Sequence, residues 1–262
     1  MQVILPSLFP PLLERVIGQL NRSSQHIRFL VVSPFEPDII GANIIWIRDD
    51  QPAGVNAALK KAMFSPLLNA DELTSIICDD AIYFDDFEEK VTANFTSLFP
   101  SGSQAGKPFI MGLNCSNRIG TTFGRAYANF PVFIPKSLLD DPFIRENIFP
   151  STIIGAWGDV WLGMAAWYAG GKVLFADEST LIEFKDRLDQ PESALRFRFY
   201  RQDMIAFINM WYPKIGQNWN VEQLRGFNID CPREMLTDHT IYIPDPREFE
   251  EKHMNCVTPD RN

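Results

Sequence analysis

The chain is poor in paired cysteine. Its four cysteines, Cys78, Cys115, Cys231 and Cys256, are widely spaced, and none belongs to a Cys-x-x-Cys or Cys-x-x-His pair. That excludes the usual zinc frameworks and makes free thiols of an intracellular protein the simplest reading. An excess of base is also missing. Lys and Arg total 24 against 33 Asp and Glu, a formal net charge of −9. A general nucleic-acid binder, whose affinity rests on neutralising phosphates, does not fit that balance. No long uninterrupted apolar run exists either. The most apolar stretch, 153–176, is broken by Gly155, Gly158, Asp159, Gly163, Gly170, Gly171 and Lys172. A charge in the first third of a span argues for a buried helix and strand, not a membrane crossing. The beginning, MQVILPSLFPPLL, is apolar but has no basic segment and carries three prolines, so it reads as strand and turn instead of a signal peptide. These features point to a cytoplasmic chain, at most peripheral to a membrane. Internal repeats and low-complexity tracts are absent as well.

What is present is alternation. Gln2–Leu5 reads as a short apolar strand closed by Pro6-Ser7, and 11–20 places Leu12, Leu13, Val16, Ile17 and Leu20 at helical spacing. Residues 27–32 (IRFLVV) and 44–47 read as strands, 54–64 as a helix, 74–78 as a strand and 84–95 as a charged helix. Strands alternating with helices predict a mainly parallel α/β sheet with helices on both faces. Ligands of such sheets bind beyond the carboxyl ends of the strands, here Pro6-Ser7, Ser33–Glu36, Asp49-Asp50 and Asp79-Asp80. Further on, 109–113, 132–134 and 172–175 read as strands, and 159–169 and 193–211 as helices. The tail from Ile243 is rich in proline and charge and reads as a surface arm. No linker divides the chain. The expected plan is a single domain with a core over 1–180 and a C-terminal helical extension and tail over 181–262.

Chemistry is most legible in Ile76-Ile77-Cys78-Asp79-Asp80, where two adjacent carboxylates leave an apolar strand. Like charges held together are costly unless a cation neutralises them. Oxygen ligands of this kind favour Mg²⁺ or Mn²⁺, which keep waters and share substrate phosphates. A pair of helix N-cap residues is the alternative. Asp159, after Gly158 at the head of an apolar helix, has the same two readings: a cap or a catalytic carboxylate. Trp157 and Trp161 beside it suit sugar stacking or core packing. Lys60 and Lys61, Arg118 and Arg125, and Arg196, Arg198 and Arg201 are candidate partners for an anion, and each set also reads as solvated surface. His239 and His253 are open to the same two readings, ligand or ordinary polar residue.

The order of these segments resembles the nucleotide-sugar glycosyltransferases of the GT-A fold, in particular the family-2-like ones, over residues 1–180. The similar motifs are Leu5-Pro6-Ser7 closing the first strand, Gly54-Val55-Asn56-Ala57-Ala58 opening a helix, and Cys78-Asp79-Asp80 followed by Asp86-Phe87-Glu88-Glu89. A later segment, Trp157-Gly158-Asp159-Val160-Trp161-Leu162, is followed by the turn and strand Ala169-Gly170-Gly171-Lys172-Val173. The resemblance implies a Rossmann-like, mixed but mainly parallel sheet flanked by helices. It implies Mn²⁺ or Mg²⁺ on Asp80 with help from Asp79, and donor contacts from Pro6, Ser7, Glu36, Asp49, Asp79 and Lys60. It also implies Asp159 as the general base of an inverting transfer from a nucleotide-diphosphate sugar. The acceptor would be a glycan, a lipid-linked or a small-molecule hydroxyl, and no nucleic acid is involved. The chain departs from the family at Cys78, where an Asp is usual, at Ser33-Pro34-Phe35-Glu36, where Asp-Asp-Gly-Ser is usual, at Leu59-Lys60, where Arg-Asn is usual, and at Gly158, where a Glu is usual. A retaining transferase or nucleotidyltransferase on the same fold, and a transferase-like binding protein without activity, are the alternatives.

Overall fold

In the computed structural model, the residues described are 1–24, 26–100, 107–115, 130–155, 158–183 and, within a last helical stretch, 202, 203, 205–207, 209–211, 213 and 214. The chain order is β1 (Gln2–Pro6), α1 (Pro10–Ser23), β2 (Arg28–Ser33), β3 (Asn43–Arg48), α2 (Val55–Met63), β4 (Thr74–Ile76), β5 (Ala81–Tyr83) and α3 (Phe87–Leu98). It continues with β6 (Phe109–Cys115), β7 (Val132–Phe133), α4 (Pro135–Leu139), α5 (Pro142–Asn147), α6 (Gly158–Tyr168) and β8 (Lys172–Glu183).

These strands form one mixed sheet of eight, in the order β3-β2-β1-β4-β7-β6-β8-β5. The pairs β1·β2, β1·β4, β2·β3 and β6·β8 are parallel. The pairs β4·β7, β6·β7 and β5·β8 are antiparallel. The mainly parallel α/β sheet expected from the alternation is therefore present. The short β7 is antiparallel to both its neighbours, so β6 and β8 run the same way as β1 and β4.

The sheet is covered on both faces, and the strand periodicity decides which residue goes where. Val3 and Leu5 of β1, with Phe29 and Val31 of β2, meet Leu13, Val16, Ile17 and Leu20 of α1 and Phe87, Val91 and Phe95 of α3. Ile4, Leu30 and Val32 face the other way, onto Ala58, Leu59, Ala62 and Met63 of α2 and Trp161, Leu162 and Ala165 of α6. Helix α1 illustrates the local logic. Pro10 and Pro11 occupy its first turn, where a missing N–H is harmless, and its buried residues recur on one stripe. Full burial of each such side chain contributes about 1.5–3 kcal/mol.

The structure departs from the sequence reading in two places. Strand β8 runs to Glu183, so a division at 180 falls inside it. Residues 81–83, to which the sequence reading gives no element, form β5 and pair with Leu181, Ile182 and Glu183. In the C-terminal extension the described residues pack on the same domain: Phe207 and Trp211, 1% and 0% exposed, belong to the same core as α2 and α6.

Candidate active site

The sheet fixes where a ligand can sit. From β1 the chain builds outward to β2 and β3 on one side and to β4 on the other. The strand order reverses at that point, and the crevice opens at the carboxyl ends of β1 and β4. Ser7 lies there, buried, with its amide bonded to Val32 O at 3.0 Å. Its Oγ accepts from the Phe9 amide at 3.1 Å and donates to Asp79 Oδ2 at 2.5 Å. The first strand's end and the acidic turn after β4 are thus joined directly.

That turn is held from several directions. Ile77 N donates to Ile4 O at 3.1 Å, keeping the chain beside β1 past the end of β4. The Tyr83 hydroxyl accepts from the Cys78 amide at 3.0 Å and donates to the Cys78 carbonyl at 2.9 Å. Arg15 Nη2 donates to the carbonyls of Asp79 and Ala81 at 2.8 and 3.2 Å. Gln19, one turn further along α1, donates to the Tyr83 carbonyl and accepts from the Tyr83 amide. Asp79 and Asp80 form the turn between β4 and β5, and the next helix begins only at Phe87, after Asp86. The N-cap alternative for the pair is therefore removed: no helix starts there to be capped.

Cys78 stands where the family resemblance has a carboxylate. Burial, followed by the charge of Asp80, pushes its thiol well above the usual cysteine range. Burial, with Cys78 beside it, likewise pushes the Tyr83 hydroxyl up. Both stay protonated at neutral pH. The turn therefore offers the oxygens of Asp79 and Asp80, both half-buried, and a neutral thiol. Among the described residues no three His, Cys, Asp or Glu side chains converge into a ready-made metal cage. Two carboxylates on a fixed turn fit a hard divalent cation that draws its remaining ligands from water and a diphosphate.

The second carboxylate centre reaches the same sheet edge. Helix α6 leads into β8, which is parallel to β6 and hence to β1, so the α6 N-terminus lies at the carboxyl edge. Asp159 is in its first turn, half-buried, and its Oδ1 accepts from the Val160 amide at 2.9 Å. The α2 N-terminus lies against the segment that precedes α6. Gly54 has φ 103 and ψ 167, and a Cβ there would overlap the Ile154 carbonyl oxygen. Asn56, 1% exposed, donates from Nδ2 to Ile153 O at 2.9 Å. A Cβ on Gly158 would overlap Asn56 Oδ1. As Asn56 stands, its side chain fills the space that a larger residue at 158 would need.

Two contributors escape the sequence reading. Asn56 enters it only as part of a Gly-x-x-x-Ala helix. Asp203, fully buried, accepts from the Ile154 amide at 2.7 Å and from the Gly155 amide at 2.8 Å. Nothing local in the sequence marks it, because its partners lie 49 and 48 residues away.

The other expected residues are placed as follows. Pro6 ends β1 and is half-buried. Glu36 is exposed in the loop after β2. Asp49, at the end of β3, is 3% exposed and ion-paired with the more exposed Lys61, so Lys61 is committed to it. Lys60 is half-buried in the last turn of α2. Trp161 is fully buried, donating to Met210 Sδ at 3.0 Å and packing on Trp211 at 5.8 Å, which makes it core and removes the sugar-stacking alternative. Trp157, Arg118, Arg125, Arg196, Arg198, Arg201, His239, His253 and the tail from Ile243 lie outside the described residues. A cavity of about 820 Å³ between the end of α1 and the start of α3 is lined by Asp85, Asp86, Glu88 and Glu89. It opens at the amino edge, opposite the crevice, and its acid lining repels a diphosphate.

No protein-family model matches the chain, and no curated protein matches it in sequence. Solved structures similar to it include a galactosyltransferase, LgtC, in complex with donor and acceptor sugar analogs, at 12% identity and TM-score 0.44, covering 78% of this chain and 95% of that one. The glycosyltransferase GlyE of Streptococcus pneumoniae is similar at 14% identity and TM-score 0.38, covering 97% of this chain and 62% of that one. A mannose-1-phosphate geranyltransferase of Thermus thermophilus is similar at 12% identity and TM-score 0.34, covering 62% of this chain and 67% of that one. Among the described residues no helix is long and apolar enough to cross a membrane.

Proposed function

We propose that the chain is a metal-dependent glycosyltransferase that moves a sugar from a nucleotide-diphosphate donor to an acceptor hydroxyl with inversion. The observation that supports this reading is that the Asp79–Asp80 turn and the head of α6, with Asp159, both lie at the carboxyl edge of one sheet. Mn²⁺ or Mg²⁺ held by Asp80, with Asp79 assisting, would supply the positive charge that a diphosphate leaving group needs.

The chain's own residues carry the rest. Ser7 and Arg15 hold the Asp79 side chain and backbone, so the turn meets its ligand already shaped. Asp159 takes the proton of the acceptor hydroxyl as that oxygen attacks the anomeric carbon and the bond to the diphosphate breaks. Pro6 and Ser7 line the donor side, with Glu36 and Lys60 as further donor contacts. Asp49 acts there through Lys61, with which it is paired.

The test is thermal unfolding in the presence of UDP-, GDP-, CMP- and dTDP-linked sugars, each with and without Mn²⁺. One nucleotide class is expected to stabilise, and only with the metal. At one hundred times the dissociation constant a ligand stabilises by about 2.7 kcal/mol, a shift of roughly 5–10 °C for a chain of this size. No shift across the panel at millimolar ligand overturns the reading. In the same assay Asp80→Ala is expected to lose the metal-dependent shift while keeping the melting temperature of the free protein within about 2 °C, because the side chain is only half-buried. A retained shift removes Asp80 from the metal site.

A further inference from the structure

We infer that Asp203 is a positioning residue: from the C-terminal helical stretch it fixes segment 153–155 and thereby sets where Asp159 stands. The catalytic consequence rests on the glycosyltransferase reading; the clamp itself does not. Both carboxylate oxygens are used, one on each of two consecutive amides, at 2.7 Å to Ile154 and 2.8 Å to Gly155. Hydrogen bonds from backbone to a carboxylate are charge-assisted and stronger than neutral ones. Asp203 is fully buried, so neither amide can exchange this partner for water without opening the structure.

The clamped segment has no room to drift. On its other side Asn56 Nδ2 holds the Ile153 carbonyl at 2.9 Å, and Gly54 lies directly against Ile154. Three residues on, Gly158 abuts Asn56 and opens the helix whose next residue is Asp159. So short a link passes on the placement of its anchored end, because each residue spans at most about 3.6 Å. The neighbours of Asp203 reinforce the anchor: Phe207, one turn later, is in the core with Trp161. The C-terminal stretch is thus part of the apparatus that aims the base.

Hydrogen exchange of the wild-type protein is the first test, and it needs no variant. The amides of Ile154 and Gly155 lie outside any helix or strand, yet they are expected to exchange as slowly as those of β1. Rapid exchange overturns the clamp. In Asp203→Asn the side chain keeps its shape but offers one acceptor and turns an N–H toward an N–H. Protection over 153–160 is expected to fall at least tenfold, with β1 and β2 unchanged. Equal loss throughout would make Asp203 a general core contact and overturn the inference, as would no loss.

The second test is kinetic, with the nucleotide sugar that stabilises the protein. Asp203→Asn is expected to lower kcat at least tenfold with the donor KM within twofold and the Mn²⁺-dependent thermal shift retained. An unchanged kcat, or a raised KM alone, overturns the link to Asp159. If the wild-type protein binds no nucleotide sugar, the transferase reading falls and takes the kinetic consequence with it. The exchange result then judges the clamp separately.

Discussion

Asp159→Asn is expected to lower transfer about a thousandfold, within the range general-base removal usually costs, while the donor still binds. The change is nearly isosteric. Asn keeps an oxygen at the position that accepts from the Val160 amide at 2.9 Å, so the first turn of α6 retains its local bond. The residue is half-buried and lies in the helix's first turn, so replacing the charge costs little stability beyond part of the dipole interaction, about 0.3–1 kcal/mol. What is lost is the basic oxygen. A neutral amide cannot take the proton of the attacking hydroxyl at neutral pH, so the barrier to attack rises and the diphosphate contacts do not change. The measurement is a pair: turnover with the stabilising donor, and the metal-dependent thermal shift. Turnover within tenfold of wild type removes Asp159 from the mechanism. Loss of the thermal shift along with turnover makes it a donor contact instead of a base.

Gly54→Ala has the largest expected effect on folding, about 4 kcal/mol of destabilisation, the sum of two costs. A backbone at φ 103 and ψ 167 lies in a region that glycine alone occupies comfortably, which costs an L-residue of order 1–3 kcal/mol. The added Cβ would also overlap a backbone carbonyl oxygen, so α2 and the segment at Ile154 must part; overpacking of that kind costs about 1–3 kcal/mol. For a chain of this length the melting temperature falls by roughly 8–16 °C. Gly41→Ala is the control. Its φ is also positive, at 79, but nothing lies within 4 Å of its Cβ position, so only the conformational cost remains, about 1 kcal/mol. Equal effects at the two positions would show that the contact with Ile154 contributes nothing.

Much of the sheet is legible in the sequence because its strands are apolar runs and its helices carry clean stripes. Ile27–Val32 could hardly be anything but a buried strand, and Leu13, Val16, Ile17 and Leu20 define the inner face of α1. The three-residue β5 is hidden, since Ala81–Tyr83 is too short to show periodicity and pairs only with Leu181–Glu183. Helices α4 and α5, of five and six residues, are likewise too brief for a stripe to register. In the site, Ser7, Asp79 and Asp80 are marked by lying at strand ends. Lys61, by contrast, reads as an anion partner or solvated surface until the structure pairs it with the buried Asp49. Asp203 and Asn56 escape notice because their importance lies in distant backbone partners, which no local pattern records.

The pairing of β5 has a consequence for the order of assembly. The turn bearing Asp79 and Asp80 sits between two strands whose pairing partners are made at very different times. Upstream, β4 docks on β1, 72 residues earlier, as Gln2 meets Thr74. Downstream, β5 finds its strand partner only when Leu181–Glu183 exist. Closing so long a loop is entropically slow. During synthesis the first half of the sheet can therefore form while the downstream arm of the acidic turn still lacks its strand. A nascent chain ending before Leu181 would hold that turn through Ser7, Arg15 and Gln19, without the strand that pairs with β5. The strand support of the acidic turn is thus completed late, after most of the sheet has folded.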